Sequence, residues 1–300
     1  MTARIVYLGM LGTLSAIPFE SLLADGANIA AVIVPSTAAG EPLHALPHAA
    51  PLSGIGLQPA RANLLELARA HGVPAWSVSD LRHPDSLARL RALRPDLLLV
   101  SCFRHILPAS WLAVPAHGAW NLHPSLLPRL RGPDPLFWTF HADAPPGATV
   151  HRMTGRVDAG PILAQVPLRF PDGIGYTAAE RLCAEAGATL FRHALAALSA
   201  GRLAAIAQDE LNASYRPLPS AADFVVKEAW TVRRAFNFLR AVAERDTATL
   251  SLAGREFRVG AALDFTAGAT LREPFCIAGD TLAARLVDGV LRVLYLAPGT

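Results

Sequence analysis

Ile5-Val6-Tyr7-Leu8-Gly9-Met10-Leu11-Gly12 opens as a short apolar run and breaks at two glycines. A helical pattern follows from about Leu14 to Leu23, with Pro18 near its first turn. Ile29-Ala30-Ala31-Val32-Ile33-Val34 is then a second apolar run. A strand, a glycine turn, a helix and another buried strand in close succession make a βαβ unit, and such units build parallel sheets. Asp96-Leu97-Leu98-Leu99-Val100 continues the pattern, apolar after its first residue as a strand covered on both faces must be. Gly9 and Gly12 supply neither the three glycines nor the acidic residue of a dinucleotide fingerprint, so a tight turn is the better reading there.

The fold class expected is α/β, with a Rossmann-like, mainly parallel sheet in an N-terminal domain over 1–205. A smaller C-terminal domain over 206–300 is expected to be α+β or an OB-like β-barrel. Its elements are a helix near 229–243 and short alternating runs at 248–252, 256–259, 284–287 and 290–296. Residues 35–59, rich in Pro, Gly, Ala and Ser, read as a long irregular loop, and a helix is expected over 60–71. Leu136 to His141 reads as an aromatic helix packed on the sheet.

Composition narrows the function classes. The 300 residues are 52% apolar with a net charge of +3, a globular rather than a disordered balance. Lys227 is the single lysine, the arginines are scattered, and residues 201–300 hold twelve basic and eleven acidic side chains. No basic face suited to nucleic acid emerges. Cys102, Cys183 and Cys276 are far apart and odd in number, so no disulfide framework or paired zinc ligands are expected. The N-terminus runs straight into a strand without a signal-type apolar core, and no apolar run is long enough to span a bilayer. A cytoplasmic location is expected, with no membrane partner.

Ala119-Trp120-Asn121-Leu122-His123 reads as a further strand, and it carries polar groups where a buried strand should carry none. Residues two apart share a face, so Asn121 and His123 would present an amide and an imidazole side by side at the strand end. Pro124 and Pro128 stiffen the loop that follows. Asp158, in Thr154-Gly155-Arg156-Val157-Asp158-Ala159-Gly160-Pro161, lies on a turn that a hairpin-like return would bring to the sheet edge. A carboxylate near His123 could hold the imidazole, raise its pKa or accept a proton from an amine. An amide that cannot titrate suits a developing oxyanion. Together the three describe transfer of an acyl or one-carbon group. The same residues also admit plainer roles: Asn121 capping the turn, His123 as a satisfied core histidine, Asp158 as an Asx-turn residue. A metal held by His123, His151 and Asp158 is a further option, although no ligand pair shares one element and none is expected. Ser101 and Ser125 lack the surroundings of a nucleophile.

The motifs Asn121-Leu122-His123-Pro124-Ser125-Leu126-Leu127-Pro128, Arg131-Gly132, and His151-Arg152-Met153 running to Gln165 decide the matter. Through them the chain resembles the folate-dependent formyltransferases, which include glycinamide ribonucleotide, methionyl-tRNA and sugar-nucleotide N-formyltransferases. The resemblance implies transfer of a formyl group from N10-formyltetrahydrofolate, as co-substrate and without a metal, to an amine. It implies that Asn121 holds the formyl oxygen, His123 stabilises the oxyanion or shuttles its proton, and Asp158 helps to deprotonate the amine. It also implies that His105, Ile106 and Leu107 on one loop, with Thr154, Gly155, Arg156 and Val157 on another, hold the pterin, largely through their backbones.

The sugar-nucleotide branch is the closer one. Gly9-Met10-Leu11-Gly12 and Arg131-Gly132-Pro133-Asp134-Pro135 differ from the tRNA enzymes' usual motifs, and His151 stands where those enzymes usually carry an apolar residue. The acceptor expected is a small-molecule amine, an amino-sugar nucleotide above others, with Arg129 or Arg131 available to its phosphates. Methionyl-tRNA formyltransferase is the alternative, and a non-catalytic folate-binding module a third reading. Oligomeric state is left open, a homodimer among the options.

Overall fold

The computed structural model describes residues 3–36, 42–46 and 63–296. In chain order the elements are β1 (Ile5–Gly9), α1 (Thr13–Ala24), β2 (Ile29–Pro35), β3 (Leu43–Ala45), α2 (Leu64–Ala70), β4 (Ala75–Val78), α3 (Pro84–Ala92) and β5 (Leu97–Ser101). There follow α4 (Ala109–Leu112), β6 (Ala119–His123), α5 (Pro135–His141), β7 (Gly147–Arg152), β8 (Ile162–Pro167) and α6 (Tyr176–Ser199). The remainder is β9 (Val225–Lys227), α7 (Val232–Val242), β10 (Ala248–Leu252), β11 (Arg255–Ala267), β12 (Phe275–Ala278), β13 (Thr281–Leu286) and β14 (Gly289–Tyr295). Contacts divide the chain into two compact units. The first comprises Met1–Arg131, Gly147–Pro167 and Arg181–Tyr215; the second comprises Gly132–Pro146, Leu168–Glu180 and Arg216–Thr300.

The first unit is built on an eight-stranded sheet in the order β3-β4-β2-β1-β5-β6-β7-β8. β4, β2, β1, β5 and β6 run parallel, whereas β3 at one edge and β7 at the other run against them, and β8 pairs antiparallel with β7. β1, β2 and β5 are covered on both faces, which is why they read as nearly unbroken apolar runs. Ile5, Tyr7, Leu97, Leu99, Trp120 and Leu122 pack with Phe19 and Leu22 of α1 and Phe191 of α6 on one face. Val6, Leu8, Leu98, Val100 and Ala119 pack with Leu90 of α3 and Trp111 of α4 on the other. Asn121 and His123 fall on the same face as Ala119 by the period of two.

Most of the irregular segment expected over 35–59 lies outside the described residues. Within it, Leu43–Ala45 is a strand, paired antiparallel with β4. The described part of the helix expected over 60–71 begins at Leu64, where Asn63 closes a capping box with Glu66.

Pro18 lies inside α1 rather than in its first turn. A proline there has no N–H for the Leu14 carbonyl four residues back. That carbonyl instead accepts the Ser101 hydroxyl at 2.5 Å. The Ser15 hydroxyl in return donates to the Ser101 carbonyl at 2.6 Å, and the Tyr7 hydroxyl donates to the Ser15 carbonyl at 2.8 Å. This buried chain of bonds ties α1 to the ends of β1 and β5. Ser101→Ala would leave the Leu14 carbonyl buried without its partner, and should lower unfolding stability in urea by about 1–3 kcal/mol.

The second unit is α+β, with a six-stranded sheet in the order β12-β13-β14-β11-β10-β9 and α7 against β11 and β14. α5, expected to pack on the first sheet, is grouped here against α7. Its Phe137 meets Phe238 at 5.6 Å and Phe224 at 5.1 Å between ring centroids, an aromatic core of its own. No helix among the described residues is long and apolar enough to cross a membrane.

Candidate active site

The site is built at the C-terminal end of β6, where ligands settle on open α/β sheets. β6 pairs parallel with β5 and antiparallel with β7, which sets Asn121 opposite His151. β7 and β8 form the return that carries Asp158 back to this edge.

His123 is 3% exposed and its Nε2 lies 2.9 Å from the Leu130 carbonyl. A carbonyl can only accept, so Nε2 carries the proton, and in the neutral ring Nδ1 is a lone pair. That Nδ1 faces Asp158 Oδ2 at 3.7 Å. His151 repeats the device in mirror order. Its Nδ1 donates to the Arg152 carbonyl at 3.1 Å, leaving Nε2 to face Asp158 Oδ1 at 3.5 Å. The Asn121 amide nitrogen lies 3.3 Å from the same His151 Nε2 and donates to it. The His123 lone pair therefore faces the Asp158 carboxylate inside the protein, while the His151 lone pair is met by the Asn121 amide.

Burial lowers the His123 pKa below its ordinary 6.5, outweighing the Asp158 charge that raises it. Raising this pKa is one of the roles the sequence leaves open to Asp158; the carboxylate acts in that direction, but full burial of the ring dominates. His151, 2% exposed, was legible only as a conceivable metal ligand and a mark of the branch. Its register opposite Asn121 follows only from the antiparallel β6–β7 pairing. Among the described residues no group of three His, Cys, Asp or Glu side chains is arranged to hold a metal.

The backbone is strained where the groups meet. Leu130 (φ +59°) and Asp158 (φ +50°) are both left-handed. Such residues persist where surrounding bonds over-determine them. Around the first, Ser125 Oγ donates to the Arg129 carbonyl, and Gln165 Nε2 donates to the Leu127 carbonyl and to Thr149 Oγ1. Ser125 and Ser101 are thus both structural, each buried with its hydroxyl bonded to a carbonyl. Gly160 has no room for a side chain, because a Cβ would sit 1.8 Å from the Arg152 carbonyl oxygen.

The two loops expected to hold a pterin end β5 and β7. Ile106 is 76% and Val157 40% exposed, while Leu107 is buried. Thr154 Oγ1 and Arg156 close a tight turn on Gly155 through two hydrogen bonds. His105 has a buried Nε2 with no partner among the described residues, and burial together with Arg104 lowers its pKa.

Of the two arginines expected to be open to the acceptor's phosphates, Arg129 is exposed and Arg131 is not. Arg131 is 6% exposed, its guanidinium bonded to Gln208 and Glu210. Asp134, within the second unit, caps α5 through Phe137 N–H, accepts the Tyr176 hydroxyl at 2.9 Å and pairs with Arg245 at 2.8 Å.

A family model described as formyl transferase matches residues 25–179, just over half of the chain. Among solved structures, the N-formyltransferase from Helicobacter canadensis, in complex with folinic acid and dTDP-3-aminofucose, is 14% identical. That match covers 98% of this chain and 99% of that one, with a TM-score of 0.68. A sugar N-formyltransferase from Shewanella sp is 16% identical over 88% of this chain and 99% of that one, TM-score 0.60. HypX from Aquifex aeolicus, in complex with tetrahydrofolic acid, is 15% identical with a TM-score of 0.61. The match covers 98% of this chain but only 44% of HypX, so the chain spans less than half of that protein's length. At these identities the likeness establishes a shared fold. The family match spanning β2 to the start of α6 goes further: the chain belongs to the formyl transferase family.

Proposed function

We propose that the protein transfers a formyl group from N10-formyltetrahydrofolate to the primary amine of a nucleotide-linked amino sugar, in the cytoplasm. The observation that carries this reading is the pair of buried imidazoles, each fixed by a backbone carbonyl with its lone pair toward Asp158, beside the Asn121 amide. An ammonium cannot attack a carbonyl, so the acceptor must first lose a proton. A neutral His123 next to Asp158 is a ready acceptor for it. The amine nitrogen then bonds to the formyl carbon, the bond from that carbon to N10 breaks, and N10 takes a proton. Asn121 Nδ2 has a second N–H, beyond the one given to His151, to meet the charge gathering on the formyl oxygen.

The residues present fit the folate co-substrate, which supplies the activated formyl carbon. Exposed Ile106 and Val157 offer apolar surface, and the unpartnered His105 Nε2 offers a polar contact. Leu107, Thr154, Gly155 and Arg156 complete the two loops. We assign the catalytic part to residues 1–205, together with the segment to Tyr215 that belongs to the same compact unit, and an accessory domain to the rest of 206–300. The dTDP-amino sugar bound by the Helicobacter canadensis enzyme supports the sugar acceptor. Near-zero net charge over residues 201–300 tells against tRNA, which requires several clustered cations.

The test is an acceptor panel with N10-formyltetrahydrofolate as donor. It comprises dTDP-amino sugars, other small primary amines and methionine-charged initiator tRNA. Formylation of an amino-sugar nucleotide, with tRNA inert, is expected. Formylation of tRNA alone would establish the methionyl-tRNA reading instead, and folate binding without any transfer would establish a binding module.

A further inference from the structure

Asp158 is held by residues some fifty positions later in the chain. Gln208 Nε2 donates to the Asp158 carbonyl and to the Gly160 carbonyl, both at 2.7 Å. Its Oε1 accepts from Arg131 Nε at 3.1 Å and Nη2 at 2.9 Å. An amide with both ends engaged has one orientation open to it: the buried guanidinium fixes the oxygen, so the nitrogen must face the two carbonyls. Glu210 closes the assembly by pairing with Arg131 at 2.9 Å and with Arg156, on the Asp158 turn, at 3.0 Å.

The same segment also holds the other half of the site. The Leu130 N–H donates to Ser214 Oγ at 3.0 Å and the Arg131 N–H to the Ser214 carbonyl at 2.9 Å. Leu130 is the residue whose carbonyl fixes the His123 tautomer. Ile206 and Ile162 exchange backbone hydrogen bonds at 2.8 and 2.9 Å, which anchors the start of the segment on β8. Residues 206–214 therefore run from the turn that carries Asp158 to the loop that carries Leu130.

We propose that Gln208, oriented by Arg131, is a positioning residue that holds the left-handed Asp158 turn in register with His123 and His151. This rests on the formyl-transfer reading for its kinetic consequence, but not for its geometry. The His–Asp separations of 3.7 and 3.5 Å already lie beyond the ordinary hydrogen-bonding range, so the turn's backbone has to set where the carboxylate stands. A further displacement of about 1 Å is enough to cost roughly 100-fold in rate.

Gln208→Met keeps the length of the side chain and removes all four hydrogen bonds. Turnover per molecule able to bind folinic acid should fall roughly 100-fold, while KM for the formyl donor changes by less than about threefold. A second readout requires no turnover. The groups facing His123 are Asp158, the His151 ring and the Leu130 carbonyl. A carboxylate that drifts away withdraws its upward pull, so the His123 titration followed by imidazole NMR should move to lower pH. Gln208→Glu keeps an acceptor for Arg131 but not the donors to the two carbonyls, and should lose turnover likewise. Turnover within threefold of the parent in both variants, or an unmoved His123 titration in the folded Met variant, would overturn the assignment. If the parent transfers no formyl group and the titration still moves, the proposed reaction fails while the positioning role stands.

Discussion

Asp158→Asn is expected to reduce kcat by about 100-fold to 10,000-fold, the range associated with loss of a positioned acid or base, with the fold intact. Asparagine tolerates the left-handed backbone at φ +50° at least as well as aspartate. The turn should therefore survive, and the Gln208 bond to the residue 158 carbonyl with it. The new amide can donate toward His123 Nδ1, the lone pair that faces residue 158. It also ends the confrontation of acceptors that the carboxylate creates. Thermal stability should hold or rise while activity collapses, the opposition expected where a site is organised for chemistry rather than for stability. Asp158→Ala separates the effects: it should lose activity as well, and stability too, because alanine is poorly suited to the left-handed region. A simultaneous loss of stability and activity in Asp158→Asn would mark the residue as structural.

His123→Ala is expected to lower turnover by a similar factor, about 100-fold to 10,000-fold, and to leave binding of folinic acid within a few-fold of the parent. The ring lies on β6, and the loops assigned to the pterin follow β5 and β7. The pH profile adds a sharper signature. Burial lowers the pKa of His123 below 6.5, so the lone pair on Nδ1 is filled only as pH falls beneath that value. The parent's kcat/KM should therefore carry an acid limb below pH 6.5, and the Ala variant should lack it. The stability consequence has the same direction. A ring held neutral in the folded protein binds fewer protons than the unfolded chain below pH 6.5. The stability it contributes is whole above that pH and is lost as pH falls through the lowered folded value. An acid limb unchanged in His123→Ala would assign it to another group.

Much of this was legible in the sequence because strands repeat with a period of two. Apolar runs located β1, β2, β5 and β6 closely, and the same period put Asn121 and His123 on one face. A hairpin-like return brought Asp158 to the right edge. What escaped has a common physical character: partners distant in sequence or too short to show a period. β3, β9 and β12 are three or four residues long, below the length at which alternation can be seen. The aromatic run of α5 declared burial but not which core would receive it. Arg131 looked like a loop cation free for a phosphate, because Gln208 and Glu210, its partners, stand almost eighty positions away. His151 gained its place only from the β6–β7 register, and the direction of the His123 pKa required knowing how completely the ring is buried.

The most direct measurement is the nitrogen NMR spectrum of the imidazole rings against pH, with His123 assigned by its loss in His123→Ala. The geometry requires a neutral ring at pH 7, protonated on Nε2 and bare on Nδ1, that takes up a second proton only below pH 6.5. A ring already cationic at pH 7, or neutral with its proton on Nδ1, would contradict a resting His123 poised to accept the proton of the incoming amine.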